Sequence, residues 1–483
     1  MENQNLNSKV ISATKWSALA EIIAKLVSPI TSMILARLLT PEAFGVVATL
    51  TIVITFAELF TDAGFQKYLV QHSFKDEAER DESTNVAFWS NLILSCLIWA
   101  GIILFKEPIA DLIGSPGLGN VLAIACVSIP LAAFSSIQSA LYRRDLDFKT
   151  LFKVRFIGLL IPLVVTIPLA LVFRNYWALV LGTIASNLVN AFLLTVFSKW
   201  KPRLYYSWQR FKEMFAFTSW SLVEAIALWA TGYVDIFIVA KVLDQYYLGL
   251  YTTSISLVGQ IMGLITTATT PILFSSLSKL QESPAEFKSL FLRFQKLVGL
   301  LVIPAGFGIY VFKDIVTTIL LGNQWIEASG FVGMWGLTSA LTIVFAHYCG
   351  EVYRALGKPK ISVIVQLFHI VFLWPTVIIA SNYGFETLYI ARSLIRFQSI
   401  LVNMIALYLL VKISPICMMK NVIFSLCAAT VMSCVGYFLL QVDNSFMWGI
   451  ITIVFCFLIY SITFVIFPGE RKTLILLIKQ IKK

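Results

Sequence analysis

The chain reads as an all-α polytopic membrane protein of about 14 transmembrane helices, arranged as two six-helix lobes related by pseudo-two-fold symmetry plus two C-terminal helices. Composition, run length and an internal repeat predict this. Hydrophobic residues make up 58% of the 483 and charged residues only 13%. A chain so apolar turns most of its surface to hydrocarbon, which excludes an ordinary soluble domain. Fourteen apolar runs reach the roughly 20 residues that a bilayer-crossing helix needs, at 12–38, 43–65, 84–105, 119–141, 154–173, 176–198, 214–240, 246–277, 296–313, 328–351, 361–380, 384–411, 421–440 and 446–467. The third observation is a repeat displaced by 204 positions: Trp16-Ser17 answers to Trp220-Ser221, Ile22 to Ile226, Ile34 to Ile238, Ala36 to Ala240, Arg37 to Lys241, Leu39 to Leu243 and Gly45 to Gly249.

The repeat sets the organisation. Runs one to six form an N-terminal lobe (1–198), and a basic linker (199–213) leads to runs seven to twelve (214–411). Residues 412–483, holding runs 13 and 14 and a basic tail, have no counterpart. A second marker agrees, since Leu141-Tyr142-Arg143 leaves run four as Val352-Tyr353-Arg354 leaves run ten, displaced by 211. With six helices per half, both halves start on the same face and form parallel repeats. Such duplication points to transport, because two similar halves can rock about a site between them.

Orientation follows from the basic residues. With the N-terminus inside, the cytoplasmic segments hold 28 of the 37 Lys and Arg and the outer segments five. That asymmetry predicts that both termini are cytoplasmic. It also explains the net charge of +11 without nucleic acid, since the bases lie in short loops between apolar runs. The seven cysteines and three histidines show no metal-ligand or disulfide spacing. Without a phosphate-cradling glycine motif, ATP hydrolysis is not expected. Seven prolines (29, 130, 162, 168, 271, 304 and 375) interrupt spans, either as hinges or as the bends membrane helices commonly tolerate.

Charges inside spans cost about 2.5–3.5 kcal/mol at the bilayer centre and mark candidate sites. Glu21 and Lys25 lie one turn apart on the first span. They read either as an i,i+4 ion pair or as a cavity base with a protonatable partner. Glu224 and Asp235 share a face of the seventh span. Glu224 reads as a cation or proton site; Asp235 is a further ion-coupling candidate, although its place near the outer end suggests solvation. Glu58 and Asp62, near the inner end of the second span, read first as interfacial. Arg392 and Arg396 repel each other on span twelve, so something anionic is expected to answer them, either an acid such as Glu224 or Glu351 or a phosphate-bearing ligand. His347, Cys349 and Glu351 read as an interface cluster, and Lys75–Glu82 as a solvated face.

The segment Ile34-Leu-Ala-Arg-Leu-Leu-Thr-Pro-Glu-Ala-Phe-Gly45 resembles the mark that follows the first helix of Wzx-type polysaccharide flippases. Asp62-Ala-Gly-Phe65 with Leu69-Val-Gln71, and Tyr353-Arg-Ala-Leu-Gly-Lys-Pro359, are similar to later marks of that family. The resemblance implies the multidrug/oligosaccharidyl-lipid/polysaccharide exporter fold, with two lobes around a cavity lined by helices 1, 2, 7 and 8. It implies a flippase moving an undecaprenyl-diphosphate-linked oligosaccharide from the inner to the outer leaflet of a bacterial inner membrane. The expected partners are the lipid-linked oligosaccharide, membrane lipids, and the polysaccharide polymerase and chain-length machinery. The substrate-binding candidates are then Lys25, Glu21, Glu224, Arg392, Arg396 and Glu58. The ion-coupling candidates are Glu224, Glu21 and Asp235, for protons or sodium ions, with no catalytic residue, metal or other cofactor. The alternatives are a cation-coupled drug or small-molecule antiporter of the same fold and a membrane enzyme of polysaccharide assembly. The enzyme fits poorly, because no large outer loop or histidine-centred site is present.

Overall fold

The computed structural model describes residues 2–62, 64–443 and 445–466. Side chains at 2–11, 62, 216–221, 223, 224, 227 and 464–466 lie outside that description. Every regular element among the described residues is helical. Thirteen helical spans there are long and apolar enough to cross a membrane. The fourteenth expected run, 214–240, falls on a continuous 35-residue helix, several of whose side chains are among those not described.

The long helices are α1 (Glu2–Leu38), α2 (Pro41–Asp62), α3 (Glu77–Leu104), α4 (Gly119–Arg144), α5 (Phe148–Phe173), α6 (Trp177–Phe197) and α7 (Trp208–Val242). They continue as α8 (Gln245–Ser278), α9 (Pro284–Val311), α10 (Asn323–Ala355), α11 (Lys360–Ser381), α12 (Phe385–Val411), α13 (Pro415–Val442) and α14 (Phe446–Ile466). Three helix starts on the side carrying the basic loops are capped by side chains. Asp76 accepts from Glu79 N, Asp147 from Thr150 N and Ser207 from Arg210 N, satisfying donors that a helix end leaves open. Pro162 opens a five-residue π segment within α5, where its missing N–H breaks the i→i−4 ladder.

Packing divides the chain into two compact units, Met1–Thr252 and Thr253–Lys483. The boundary of 198/214 is a division by repeat; the division by packing places α7 and the first turns of α8 with α1–α6. In the first unit α1 lies on α5, α4 on α3 and α6, and α7 on α2. Asn91 Nδ2 donates to Ser136 Oγ at 2.7 Å, tying α3 to α4 inside the apolar layer. Such a bond contributes about 0.6 kcal/mol in a membrane protein.

The basic linker is docked. Arg203 N donates to Asn85 Oδ1 at 2.7 Å, Trp89 Nε1 donates to Arg203 O at 2.8 Å, and Ser90 Oγ donates to Tyr206 Oη at 3.2 Å. Arg210 sits 2.8 Å from Glu79, 3.9 Å from Glu82 and 3.5 Å from Glu213. The stretch 75–82 is mostly exposed, as expected of a solvated face, and its glutamates also seat this linker. Arg80 pairs with Asp145 at 2.9 Å in the same layer.

In the second unit α9 packs against α10 and α13, and α14 lies on α13. Asn421 Nδ2 donates to Leu292 O at 2.7 Å, and Tyr460 Oη donates to Leu300 O at 2.9 Å. The two helices without a repeat counterpart are thus built into the core of their unit.

Candidate functional site

The first unit holds a cavity of about 650 Å³ on the side of the basic loops. Thr55, Glu58 and Leu59 of α2 form one wall, and Ala225, Leu228, Trp229 and Tyr233 of α7 another. The short helix Phe65–Gln71 supplies Gln66, Lys67, Val70 and Gln71, and the end of α4 supplies Arg143. Trp229 Nε1 donates to Thr55 Oγ1 at 3.0 Å, and its ring lies 4.9 Å from Phe56, fixing the indole against α2.

Two adjacent arginines divide the work at the cavity mouth. Arg144 donates to the carbonyls of Leu69 and His72, both at 2.7 Å, with its guanidinium 4.6 Å from the Phe74 ring. That satisfies carbonyls at the C-terminal end of the short helix and holds the helix to α4. Arg143, one position earlier and about 100° around the helix, faces the cavity and donates to Gln66 Oε1 at 3.3 Å. No carboxylate answers it among the described residues. Its repeat counterpart Arg354 is neutralised by the buried Glu351, three residues before it. The halves share the Tyr-Arg motif and differ in whether the arginine is paired.

The residues singled out from sequence fall in several places. Glu58 lines the cavity rather than the open interface. Glu21 pairs with Arg155 of α5 at 2.7 Å, which corrects the expected pairing with Lys25. Arg155 lies closer because α1 packs lengthwise on α5. Lys25 is half-buried and makes no hydrogen bond or ion pair with the described residues. The Glu224 side chain lies outside the described residues.

Asp235 is buried, 4% exposed, and accepts from Tyr251 Oη at 3.0 Å, so the solvated reading of this residue does not hold. Arg392 and Arg396 both lie against an aromatic face. Their guanidinium carbons stand 4.8 and 4.0 Å from the Trp335 ring centre, and Arg396 donates to Ser339 Oγ at 2.6 Å. The face of the indole attracts both cations. Glu351 is held by Arg354, not by these two. No group of three or more metal-ligating side chains occurs among the described residues.

Sequence reasoning passed over Lys67 and Arg143, which it counted as loop bases. The available signal was the paired Tyr-Arg motif, because only the second copy carries a glutamate three residues before its arginine.

The fold and this basic-mouthed cavity define a multi-pass membrane protein of transporter architecture. Residues 34–330 match the family described as polysaccharide biosynthesis protein, and the chain belongs to that family. It is similar to the succinoglycan biosynthesis transport protein ExoT of Rhizobium meliloti (strain 1021), 25% identical over 339 residues that cover 70% of this chain and 67% of that one. The lipopolysaccharide biosynthesis protein WzxC of Escherichia coli (strain K12) is 21% identical over 384 residues, covering 78% and 76%. Among solved structures, the lipid II flippase MurJ in an inward closed conformation superposes with a TM-score of 0.74 over 92% of this chain and 97% of that one, at 15% identity. An inward-facing multidrug-resistance transporter of the MATE family gives 0.61 over 83% and 98%, at 13% identity. At these identities the structural likenesses establish the shared fold.

Proposed function

We propose that this chain is a flippase, not an enzyme, that carries a diphosphate-linked oligosaccharide on a polyprenyl lipid from the inner to the outer leaflet of a bacterial inner membrane. In this reading both termini are cytoplasmic and the 650 Å³ cavity opens inward. The observation that carries it is Arg143, a guanidinium at the cavity mouth without a carboxylate partner among the described residues, where its repeat counterpart has one. A planar guanidinium suits the paired oxygens of a phosphate. Lys67 adds a second cation on the same cavity, and Gln66 and Gln71 add amide groups. The family match, and relatives named for succinoglycan and lipopolysaccharide transport, support the substrate class.

The steps follow from charge and access. The basic loops concentrate the anionic headgroup at the inner face. The headgroup enters the cavity while the polyprenyl tail stays in the bilayer, and alternating access then presents it outward. A membrane potential of 100 mV, negative inside, favours expelling each negative charge by about 2.3 kcal/mol, so ATP is not required. Return of a proton or sodium ion through Asp235, Glu21 or Glu224 adds to the drive.

Deletion of the chain, followed by sidedness analysis of lipid-linked glycans, tests this reading. A complete repeat unit held on the inner leaflet is the expected result. Accumulation on the outer leaflet would assign the chain to a later assembly step. Normal glycans with a changed drug-resistance profile would favour the antiporter.

A further inference from the structure

The first unit contains a second cavity, about 530 Å³, enclosed by α1, α4, α5 and α6. Its volume lies within the range of small-molecule sites. It meets the first cavity at one residue, because Arg143 lines both. Resting on the flippase reading, we propose that this second cavity is the saccharide subsite: with the diphosphate held at Arg143, the sugars attached to it extend between α1 and α5.

The lining has the chemistry of a sugar ring, which has apolar C–H faces and a rim of hydroxyls. Trp16 and Phe152 present aromatic surface, their ring centres 5.0 Å apart. Ser17, Ser139 and Asn190 line the same space and make no hydrogen bond with the described residues. Gly158 leaves the Asn190 amide open to the cavity, since a Cβ there would stand 3.3 Å from Asn190 Oδ1. At the rim the Arg155–Glu21 pair offers donors and acceptors side by side, as vicinal hydroxyls require.

Two other occupants fit less well. With Arg143 taken by the diphosphate, a further phosphate or lipid headgroup would find the Arg155 charge already neutralised by Glu21. An acyl chain or apolar drug would leave the serine and asparagine groups unpaired in a low-dielectric space. A neutral, hydroxyl-rich ligand satisfies the lining beyond Arg143.

The test uses the full chain in lipid nanodiscs and two probes: a polyprenyl diphosphate, and the same lipid carrying the glycan recovered from a strain that lacks this chain. Trp16→Ala, Ser139→Leu and Asn190→Ala are expected to weaken binding of the glycan-bearing lipid by about tenfold or more, and to change that of the sugar-free lipid by less than about twofold. Equal losses on both probes, or no loss on either, would overturn the subsite. Arg143→Ala is expected to weaken both probes together. A wild-type chain that binds neither lipid overturns the flippase reading and the subsite with it. One that binds both while the three cavity variants leave the glycan preference intact overturns the subsite alone.

Discussion

Gly45 and Gly249, 204 positions apart and equivalent in the repeat, meet backbone to backbone where the first turns of α2 and α8 cross. A Cβ on Gly45 would come within 1.8 Å of the carbonyl oxygen of Gln245, and one on Gly249 within 1.9 Å of that of Pro41. Pro41 and Gln245 are themselves repeat equivalents, so the contact is symmetric about the pair. Gln245 then ties the crossing to its surroundings, donating to Gly114 O at 3.0 Å and Ser115 Oγ at 2.7 Å, while Thr49 Oγ1 donates to its Oε1 at 3.0 Å.

Because main chain occupies the space on both sides, Gly45→Ala and Gly249→Ala force the helices apart. Each is expected to lower stability by about 1–3 kcal/mol, the usual range for overpacking. Thermal unfolding in detergent reads this, and the two variants should fall together. A wild-type melting temperature in either would show that the crossing is loose.

The buried Asp235–Tyr251 bond predicts a smaller effect. Tyr251→Phe removes one hydrogen bond from the apolar layer, worth about 0.6 kcal/mol on average and up to about 1.7 in membrane proteins. Asp235→Asn keeps an acceptor for the Tyr251 hydroxyl but cannot ionise. If Asp235 couples transport to an ion, Asp235→Asn abolishes the ion dependence of flipping in proteoliposomes while Tyr251→Phe retains it.

Trp335 carries two guanidinium groups on its ring, so its loss costs more than its area. Trp335→Ala is expected to destabilise the chain by about 3–5 kcal/mol through the cavity alone, with the arginines unshielded in addition. Trp335→Phe keeps an aromatic face and should recover a large part of the loss. Equal unfolding of the two variants would show that packing, not cation–π attraction, decides this cluster.

The Glu21–Arg155 pair is partly open to its surroundings, with side chains 41% and 47% exposed, so its coupling is small. A double-mutant cycle with Glu21→Gln and Arg155→Gln is expected to give about 0.2–1 kcal/mol, the range for screened pairs. A coupling well above that range would place the pair in a drier environment than its exposure indicates.

The helices were legible because hydrophobic run length is a one-dimensional signal, and a transmembrane helix satisfies its own backbone. Partner choice was not legible, because it depends on which helices touch. Glu21 has Lys25 one turn away in sequence, yet the lengthwise packing of α1 on α5 brings Arg155 to it. Arg392 and Arg396 lie one turn apart in sequence, and only the fold places Trp335 against both guanidinium groups. Arg143 was hidden among loop bases until the short helix Phe65–Gln71 and the Arg144 clamp gave it a cavity to face.

Transbilayer movement of the lipid-linked glycan by Arg143 variants in proteoliposomes reads directly whether Arg143 receives the diphosphate. Arg143→Ala is expected to reduce flipping by about 100-fold at unchanged folding, in keeping with loss of a guanidinium–phosphate contact of about 1.5–3 kcal/mol. Arg143→Lys should recover part of it, because a point charge replaces a bidentate fork. Wild-type flipping by Arg143→Ala would show that the diphosphate is received elsewhere.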